Sequence, residues 1–298
     1  MTNIELALGP VFFNWPNEKL LDFYARIADE SDIERVYVGE VVCGKRMPFS
    51  DKVYPQIIER LQAAGKTVVV STLALPVTVR DRKSIDALSD WDGLVEVNDF
   101  SGVAARKGQR FVAGPFMNIY NEGAAQTLAR MGMEGVCPPV ELPLSSVEVI
   151  AKALPEIEME LFAFGRLPLA VSARCYHARA HKLHKDNCQF ICDQDPDGMD
   201  VTTLDDQNFL AVNGIQTLSN TVHATTLTQS EIEKKHIKRL RLSPHSVDMV
   251  SVAKTFRALA TGRIDSAECE AQLTSLPLPG QLANGYTKGK PGHLWVAD

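Results

Sequence analysis

The feature that most constrains the fold is a regular alternation of short apolar runs with amphipathic stretches. Eight runs, several of them rich in valine, have the length and composition of buried strands: residues 4–8, 35–38, 67–70, 94–97, 110–113, 135–137, 159–164 and 237–242. Between the first two runs, residues 17–30 place Leu20, Leu21, Tyr24 and Ile27 on one helical face. Strands that alternate with helices form parallel sheets, and eight such strands close a barrel. The sequence therefore predicts an α/β fold, a (β/α)8 TIM-like barrel.

One segment is too long for a regular barrel. Residues 171–235 separate the seventh and eighth predicted strands, whereas connections in compact domains are usually short. We expect this segment to form an insertion after the seventh strand, with a turn-rich loop at 193–208, where Asp, Gly, Pro and Asn are frequent. Residues 280–298 predict a loop-like C-terminal tail. The whole chain, 1–298, is expected to form a single barrel domain that carries these two additions.

The charge balance argues against a nucleic-acid partner. The 298 residues have a formal net charge of −6, and no basic patch is available to neutralise phosphates. The N-terminal residues lack the basic and apolar regions of a signal peptide, and no apolar run approaches the ~18 residues of a membrane span. With 45% hydrophobic and 23% charged residues, the composition is that of a soluble globular protein, and we expect a cytoplasmic location.

Function in such barrels is carried by the loops that follow the strands. The standard H-E-x-x-H, G-x-S-x-G and G-x-G-x-x-G motifs do not occur, and the stretch AAGKT fails as a phosphate-binding loop because Arg60 stands where a glycine is required. Polar side chains in these loops are candidates for binding a small substrate or for satisfying loop backbone groups: Glu40, Asn98, Asp99, Asn118, Glu141 and Arg174. The sequence assigns no catalytic or substrate-binding role to any of them.

The chain has six cysteines, and in a reducing cytoplasm these are not expected to form disulfides. Cys137 is expected in or at the end of a strand, and Cys269 is expected at the surface of a helix or loop. The other four stand in polar loops. Cys175, Cys188 and Cys192 have the spacing C-x12-C-x3-C, and Cys43 follows the second predicted strand. Because a barrel brings the loops after its strands to one rim, we predict that these four thiols form one metal site.

Two metal centres suit four thiolates, zinc and an iron–sulfur cluster. Structural zinc sites usually consist of two short C-x2–4-C pairs, whereas here one predicted ligand lies more than a hundred residues from the others. The scattered pattern favours a 4Fe-4S cluster. Basic residues that flank the four cysteines would offset its negative charge, unless they only form a solvated face: Lys45, Arg46, Arg174, Arg179, Lys182 and Lys185.

Three histidines lie close to the same cysteines. His181 could join Cys175 and Cys188 in a mixed zinc site, since imidazole is a good zinc ligand. His177, His181 and His184 are also spaced so that they share one face of an exposed helix. We favour the exposed helix, because the cysteines alone supply four ligands.

Residues 158–175, EMELFAFGRLPLAVSARC, resemble the signature segment of the collagenase-like peptidase family, whose catalytic type is unknown. The residues that match its pattern are Glu160, Phe162, Gly165, Leu167, Ser172 and Cys175. Three positions depart from it: Phe164 replaces a histidine, Pro168 replaces a cysteine and Ala173 replaces a glycine. Since one signature cysteine is absent, a different fourth ligand is required, and Cys43 is available.

Further stretches, including LGPVFFNWP, VYVGEVVCGKR, CPPVEL and NGIQTLS, resemble one branch of that family, which serves oxygen-independent ubiquinone biosynthesis. The resemblance implies a barrel-like fold and a 4Fe-4S cluster on the four cysteines that match Cys43, Cys175, Cys188 and Cys192. It also implies a heterodimer with a homologous partner, the hydroxylation of ubiquinone precursors without oxygen, and help from a small lipid-binding protein.

The sequence is therefore compatible with three functions. The first is an iron–sulfur component of an anaerobic hydroxylation system. The second is a peptidase, possible only with catalytic residues outside the standard motifs, and the third is a non-catalytic scaffold whose metal staples the insertion.

Overall fold

The strands of this chain form one continuous sheet. The computed structural model describes residues 4 to 297, and within them twelve strands are hydrogen-bonded into that sheet. The strands are β1 (Glu5–Leu8), β2 (Arg35–Val38), β3 (Thr67–Ser71), β4 (Val95–Val97), β5 (Phe111–Ala113), β6 (Met133–Val136), β7 (Glu158–Val171), β8 (Met199–Thr202), β9 (Asn208–Asn213), β10 (Gln216–Ala224), β11 (Ile237–Leu242) and β12 (Leu282–Ala283).

Helices lie in the connections between the parallel strands, including the insertion, and after the last barrel strand. They are α1 (Asn17–Glu30), α2 (Met47–Ser50), α3 (Tyr54–Ala63), α4 (Val79–Asp86), α5 (Phe100–Arg106), α6 (Glu122–Arg130), α7 (Leu144–Ala153), α8 (Tyr176–Ala180), α9 (Gln229–Lys234), α10 (Met249–Ala260) and α11 (Ser266–Thr274). Helix α1 has the bounds that its apolar spacing predicts and buries Leu20, Tyr24 and Ile27. Among residues 4 to 297, the helices are all too short or too polar to cross a lipid bilayer.

The barrel closes between its last and first strands. Strands β1 to β7 pair in chain order and in parallel, and β11 pairs with both β1 and β7. At the closing seam Leu8 is level with Leu242, and on the other side of β11 Leu240 is level with Leu161. The eight runs identified in the sequence are the eight barrel strands, so the predicted (β/α)8 TIM-like barrel is confirmed.

Three strands between β7 and β11, namely β8, β9 and β10, form an antiparallel extension of the sheet beyond the barrel. Strand β7 continues to Val171 and pairs antiparallel with β10, which pairs in turn with β9, and β9 pairs with β8. The expectation of a turn-rich loop at 193–208 is therefore wrong in part, because β8 lies inside it. In the tail, β12 pairs with β10. This antiparallel extension lies at the rim formed by the ends of β2 and β7, which is where the candidate site lies.

The interior of the barrel contains charged side chains. Arg241 on β11 is 1% exposed, and its Nη1 lies 2.6 Å from a carboxylate oxygen of Glu96 on β4. The guanidinium also pairs with Glu160 on β7 and lies over the ring of Tyr37 on β2, 4.0 Å from its centroid. These four residues come from strands on different sides of the barrel, so they link its walls across the interior.

A buried histidine on β10 makes stability sensitive to acid. His223 is 1% exposed, its Nε2 lies 2.7 Å from the hydroxyl of Thr225, and burial lowers its pKa from 6.5 to about 4. Between these two values the unfolded chain binds more protons than the folded chain, so stability falls as the pH falls. The shift corresponds to about 3 kcal/mol lost between pH 7 and pH 4. We expect His223→Gln to remove that part of the pH dependence in urea unfolding.

The matched control is His293→Gln, which alters an exposed histidine and should leave the pH profile as in the wild type. Equal pH profiles for the wild type and His223→Gln would show that His223 is not the group responsible.

Candidate functional site

Side chains of all four predicted metal-binding cysteines line one small cavity. Cys43 lies in the loop after β2 and Cys175 in the loop after β7, while Cys188 and Cys192 lie in the insertion. Lys45, Arg46, Lys185, Phe190, Ile191 and Gly214 complete the lining. The loops after β2 and β7 therefore meet at the rim, as the barrel topology predicts.

The loop that carries Cys43 is shaped by a buried carboxylate. Oε1 of Glu40 accepts hydrogen bonds from the backbone N–H groups of Val42 and Cys43, both at 2.8 Å. Burial raises the pKa of Glu40, an effect opposed by the nearby Arg46 guanidinium and by these two bonds. Glu40, one of the polar rim residues noted in the sequence, therefore positions the loop and does not line the cavity.

Arg46 joins that loop to the insertion. Its side chain is 3% exposed, Nη1 donates to the carbonyl of Phe12 at 2.8 Å, and Nη2 donates to Oδ1 of Asn213 at 2.8 Å. Nη2 also lies 3.3 Å from Sγ of Cys192, within hydrogen-bonding distance for sulfur. The guanidinium thus places a fixed positive charge against one of the four thiols.

Lysine side chains connect three segments of the rim. Nζ of Lys45 donates to the carbonyls of Lys185 at 2.6 Å and Asp186 at 3.0 Å. Nζ of Lys185 donates to the carbonyl of Ala173 at 2.9 Å. These bonds hold the Cys43 loop, the Cys188 segment and the end of β7 against one another, and they place two ammonium groups beside the cavity.

Cys175 occupies the N-cap position of α8. Its Sγ accepts a hydrogen bond from the backbone N–H of Ala178 at 3.4 Å. Burial raises the pKa of both Cys175 and Cys43, and all six cysteines of the chain are free thiols. Four free thiols around one cavity, with Arg46 and two lysines beside them, suit a metal centre that is held by thiolates.

The remaining cysteines lie elsewhere. Cys137 follows β6 and is 1% exposed, in agreement with its expected place at the end of a strand. Cys269 lies in α11, as a helix was expected, but it is fully buried, so its predicted surface position is wrong. The reason is that α11 packs against α10 and turns Cys269 into the interface. Neither cysteine lines the cavity.

The histidines depart from the exposed helical face that we favoured. His177 is fully buried, whereas His181 and His184 are exposed. Nε2 of His177 lies 2.9 Å from Oδ2 of Asp195, a residue that the sequence did not single out. The i, i+4 spacing of His177 and His181 was the available signal, but nothing local indicated that Asp195 would lie beside them.

A larger groove lies next to the cysteine cavity at the same rim. It has a volume of about 740 Å³ and is formed by the loops that follow β3 to β7. Its walls are mainly apolar, and the polar rim residues that line it are Asn98, Asp99, Asn118 and Glu141. Phe116 and Ala74 line the groove and also pack in the apolar cluster that includes Cys43, Cys175 and Cys188. Arg174 lies outside the groove.

A comparison with known protein families agrees with the resemblance noted in the sequence. The model of peptidase family U32 matches residues 16–293, which run from just before α1 through the other seven barrel strands and the insertion into the tail. The match includes the loop after β2 and the whole segment that carries Cys175, Cys188 and Cys192. The chain therefore belongs to peptidase family U32.

Proposed function

We propose that this chain is an iron–sulfur protein of the UbiV type, which acts in the oxygen-independent hydroxylation of ubiquinone precursors. The observation that carries the proposal is the convergence of Cys43, Cys175, Cys188 and Cys192 on one cavity. Four cysteines are the usual ligand set of a 4Fe-4S cluster. The proposal further assigns the chain a homologous partner, UbiU, in a heterodimer, and a small lipid-binding accessory protein, on the resemblance described above.

The cysteines and the basic residues that line the cavity have separate roles in this proposal. The four thiolates would hold the cluster, and Arg46, Lys45 and Lys185 would offset its negative charge. Nη2 of Arg46 lies 3.3 Å from Sγ of Cys192, so its positive charge stands directly against one of the four ligands. When bound, a 4Fe-4S cluster supplies one-electron redox chemistry. Glu40 and Asn213 keep the Cys43 loop and Arg46 in place.

The neighbouring groove is proposed to receive the quinone precursor. Its volume of about 740 Å³ is within the range of small-molecule sites, and its apolar walls suit a prenylated ring. Asn118 offers a side-chain amide that can orient the polar substituents of that ring, and Asn98 offers its Oδ1, unpaired among the described residues, since its Nδ2 already donates to Thr72 and Glu96. Phe116 lines the groove and packs in the apolar cluster that contains Cys43, Cys175 and Cys188, so the proposed substrate site and the four cysteines lie at the same rim of the barrel.

Metal analysis of protein purified without oxygen tests the cluster. We expect a brown protein with broad absorbance near 400 nm and about four iron and four sulfide per chain, since thiolate-bound clusters have this composition. A colourless protein with stoichiometric zinc on the cysteines would overturn the proposal.

Hydroxylation of a ubiquinone precursor by the reconstituted heterodimer separates this function from the other two. A peptidase would cleave peptides with or without its cysteines, and a scaffold would support hydroxylation even when the cluster is lost. We expect variants of the cluster cysteines that still fold and still bind the partner to lose the hydroxylation.

A further inference from the structure

A second group of metal-ligating side chains lies outside the cysteine cavity. His177 is in α8, His181 follows the helix at i+4, and Asp195 stands after a short turn in the insertion. One ligand atom from each of the three side chains lies within 4.8 Å of the other two. None of the three residues lines the cysteine cavity, so the cluster proposed there does not account for them.

The contact between His177 and Asp195 has a geometry that suits two ligands of one ion. Nε2 of His177 lies 2.9 Å from Oδ2 of Asp195, but the angle at the ring nitrogen is poor for a hydrogen bond, and Nδ1 of His177 has no hydrogen-bond partner in the described part of the chain. A buried imidazole that is paired this poorly is costly, because its polar atoms have given up water for weak contacts. Ligands that share one metal ion lie about 3 Å apart without being hydrogen-bonded, and this arrangement removes the cost.

The two histidine rings and the burial of the site are suited to one ion. The rings of His177 and His181 are nearly parallel, with an interplanar angle of 14° and centroids 5.7 Å apart. Two histidines at i and i+4 on a helix are a familiar metal-binding pair. His177 is buried, Asp195 is partly buried and His181 is exposed, so the trio opens to solvent on the His181 side. A bound ion would keep a position there for water or another ligand.

We propose that His177, His181 and Asp195 form a separate site for a divalent transition-metal ion. Two imidazoles and a carboxylate with an open position suit Zn²⁺, and the same set suits non-haem Fe²⁺. The site does not depend on the function proposed for the cysteines. Its donor atoms are nitrogen and oxygen, which distinguishes it chemically from a centre held by sulfur.

Metal binding to the intact, cluster-loaded chain tests the site. The protein is dialysed against Zn²⁺ and, in a parallel anaerobic sample, against Fe²⁺, and the metal content is measured together with acid-labile sulfide. We expect about one ion per chain in excess of the cluster iron, with X-ray absorption giving metal–N/O distances of about 2.0–2.2 Å. Zinc on the cysteines would instead give distances of about 2.3 Å to sulfur.

Variants at the accessible ligands complete the test. We expect His181→Ala and Asp195→Asn to lower the affinity for the ion at least ~10-fold, since even outer-shell changes at metal sites cost this much. Neither residue is fully buried, so both variants should fold, which thermal unfolding checks. His184→Ala is the matched control, because His184 is an exposed histidine of the same segment and should leave binding unchanged.

Three results would overturn the site. They are the absence of an additional ion, an ion bound through sulfur, and equal affinity in the wild type, His181→Ala and Asp195→Asn. Any of them would leave His177 and Asp195 as a partly buried ion pair beside a stacked histidine. A colourless, cluster-free protein that still bound one ion through N/O ligands would refute the proposed function and support this site.

Discussion

Cys43→Ala is expected to lower the iron content from about four per chain to nearly none, because the proposed 4Fe-4S centre has Cys43 as one of its four thiolate ligands and no other thiol among residues 4 to 297 lines the cavity. Cys43 is also the residue whose assignment depends most on the fold, since it comes from the loop after β2 while the other three come from the insertion. Iron and sulfide analysis after anaerobic purification measures the effect, with circular dichroism to check that the barrel is intact.

The matched control for this loss is Cys269→Ala, in which a buried cysteine far from the cavity is truncated. It should lower stability slightly and leave the iron content as in the wild type. Full cluster content in Cys43→Ala would show that another group is the fourth ligand. Equal loss in both variants would show that iron content reports stability and not ligation.

Arg241→Met is expected to destabilise the barrel by about 3–5 kcal/mol, the usual effect of breaking a buried ion pair from one side. The variant keeps the volume of the side chain but leaves Glu96 and Glu160 without their shared cation. Burial by itself would raise the pKa of Glu160. The Arg241 and Arg239 guanidiniums outweigh this effect and bring the pKa below its usual range. Removing Arg241 takes away the largest of these opposing charges, and the buried carboxylates then favour unfolding or protonation.

Urea unfolding at pH 7 measures this loss, and two further variants interpret it. Arg110→Met removes an arginine whose side chain is 81% exposed and which pairs with Glu134 at the surface, so it should have little effect. Combining Arg241→Met with Glu160→Gln should recover part of the lost stability, because one of the unpaired charges is then absent. If Arg241→Met were as stable as the wild type, the internal charges would not support the barrel.

The barrel could be predicted from the sequence because each barrel strand can be recognised from its own residues. Runs such as β3 are apolar, valine-rich and bounded by polar turns, so burial on both faces can be read from the residues alone. The second half of β7 could not be predicted, since its extension to Val171 exists only through antiparallel pairing with β10. Strand β8 was hidden for the same reason, as polar residues form a strand there only because β9 lies beside them.

Some residues of the candidate site could likewise be predicted from the sequence, and others could not. The cysteines could be predicted, because thiols in polar surroundings are conspicuous and the barrel topology determines which loops meet. The roles of Arg46 and Asp195 could not, since both depend on how the insertion folds back against the rim. Arg46 looks like one of several basic residues in the sequence, yet its contacts with Phe12, Cys192 and Asn213 make it the central link between the loop and the insertion.

The cysteines of the cavity come from the loop after β2 and from the insertion. Their separation in the chain determines when during synthesis and folding a metal could bind them. During synthesis Cys43 leaves the ribosome more than a hundred residues before Cys175, which at ordinary translation rates is a delay of roughly 10 s. Even then the rim is not assembled, because β11, which closes the barrel, is made last of the eight strands. The proposed metal centre on these four thiols would therefore be loaded only at the end of synthesis, and its presence would mark a chain that has finished folding.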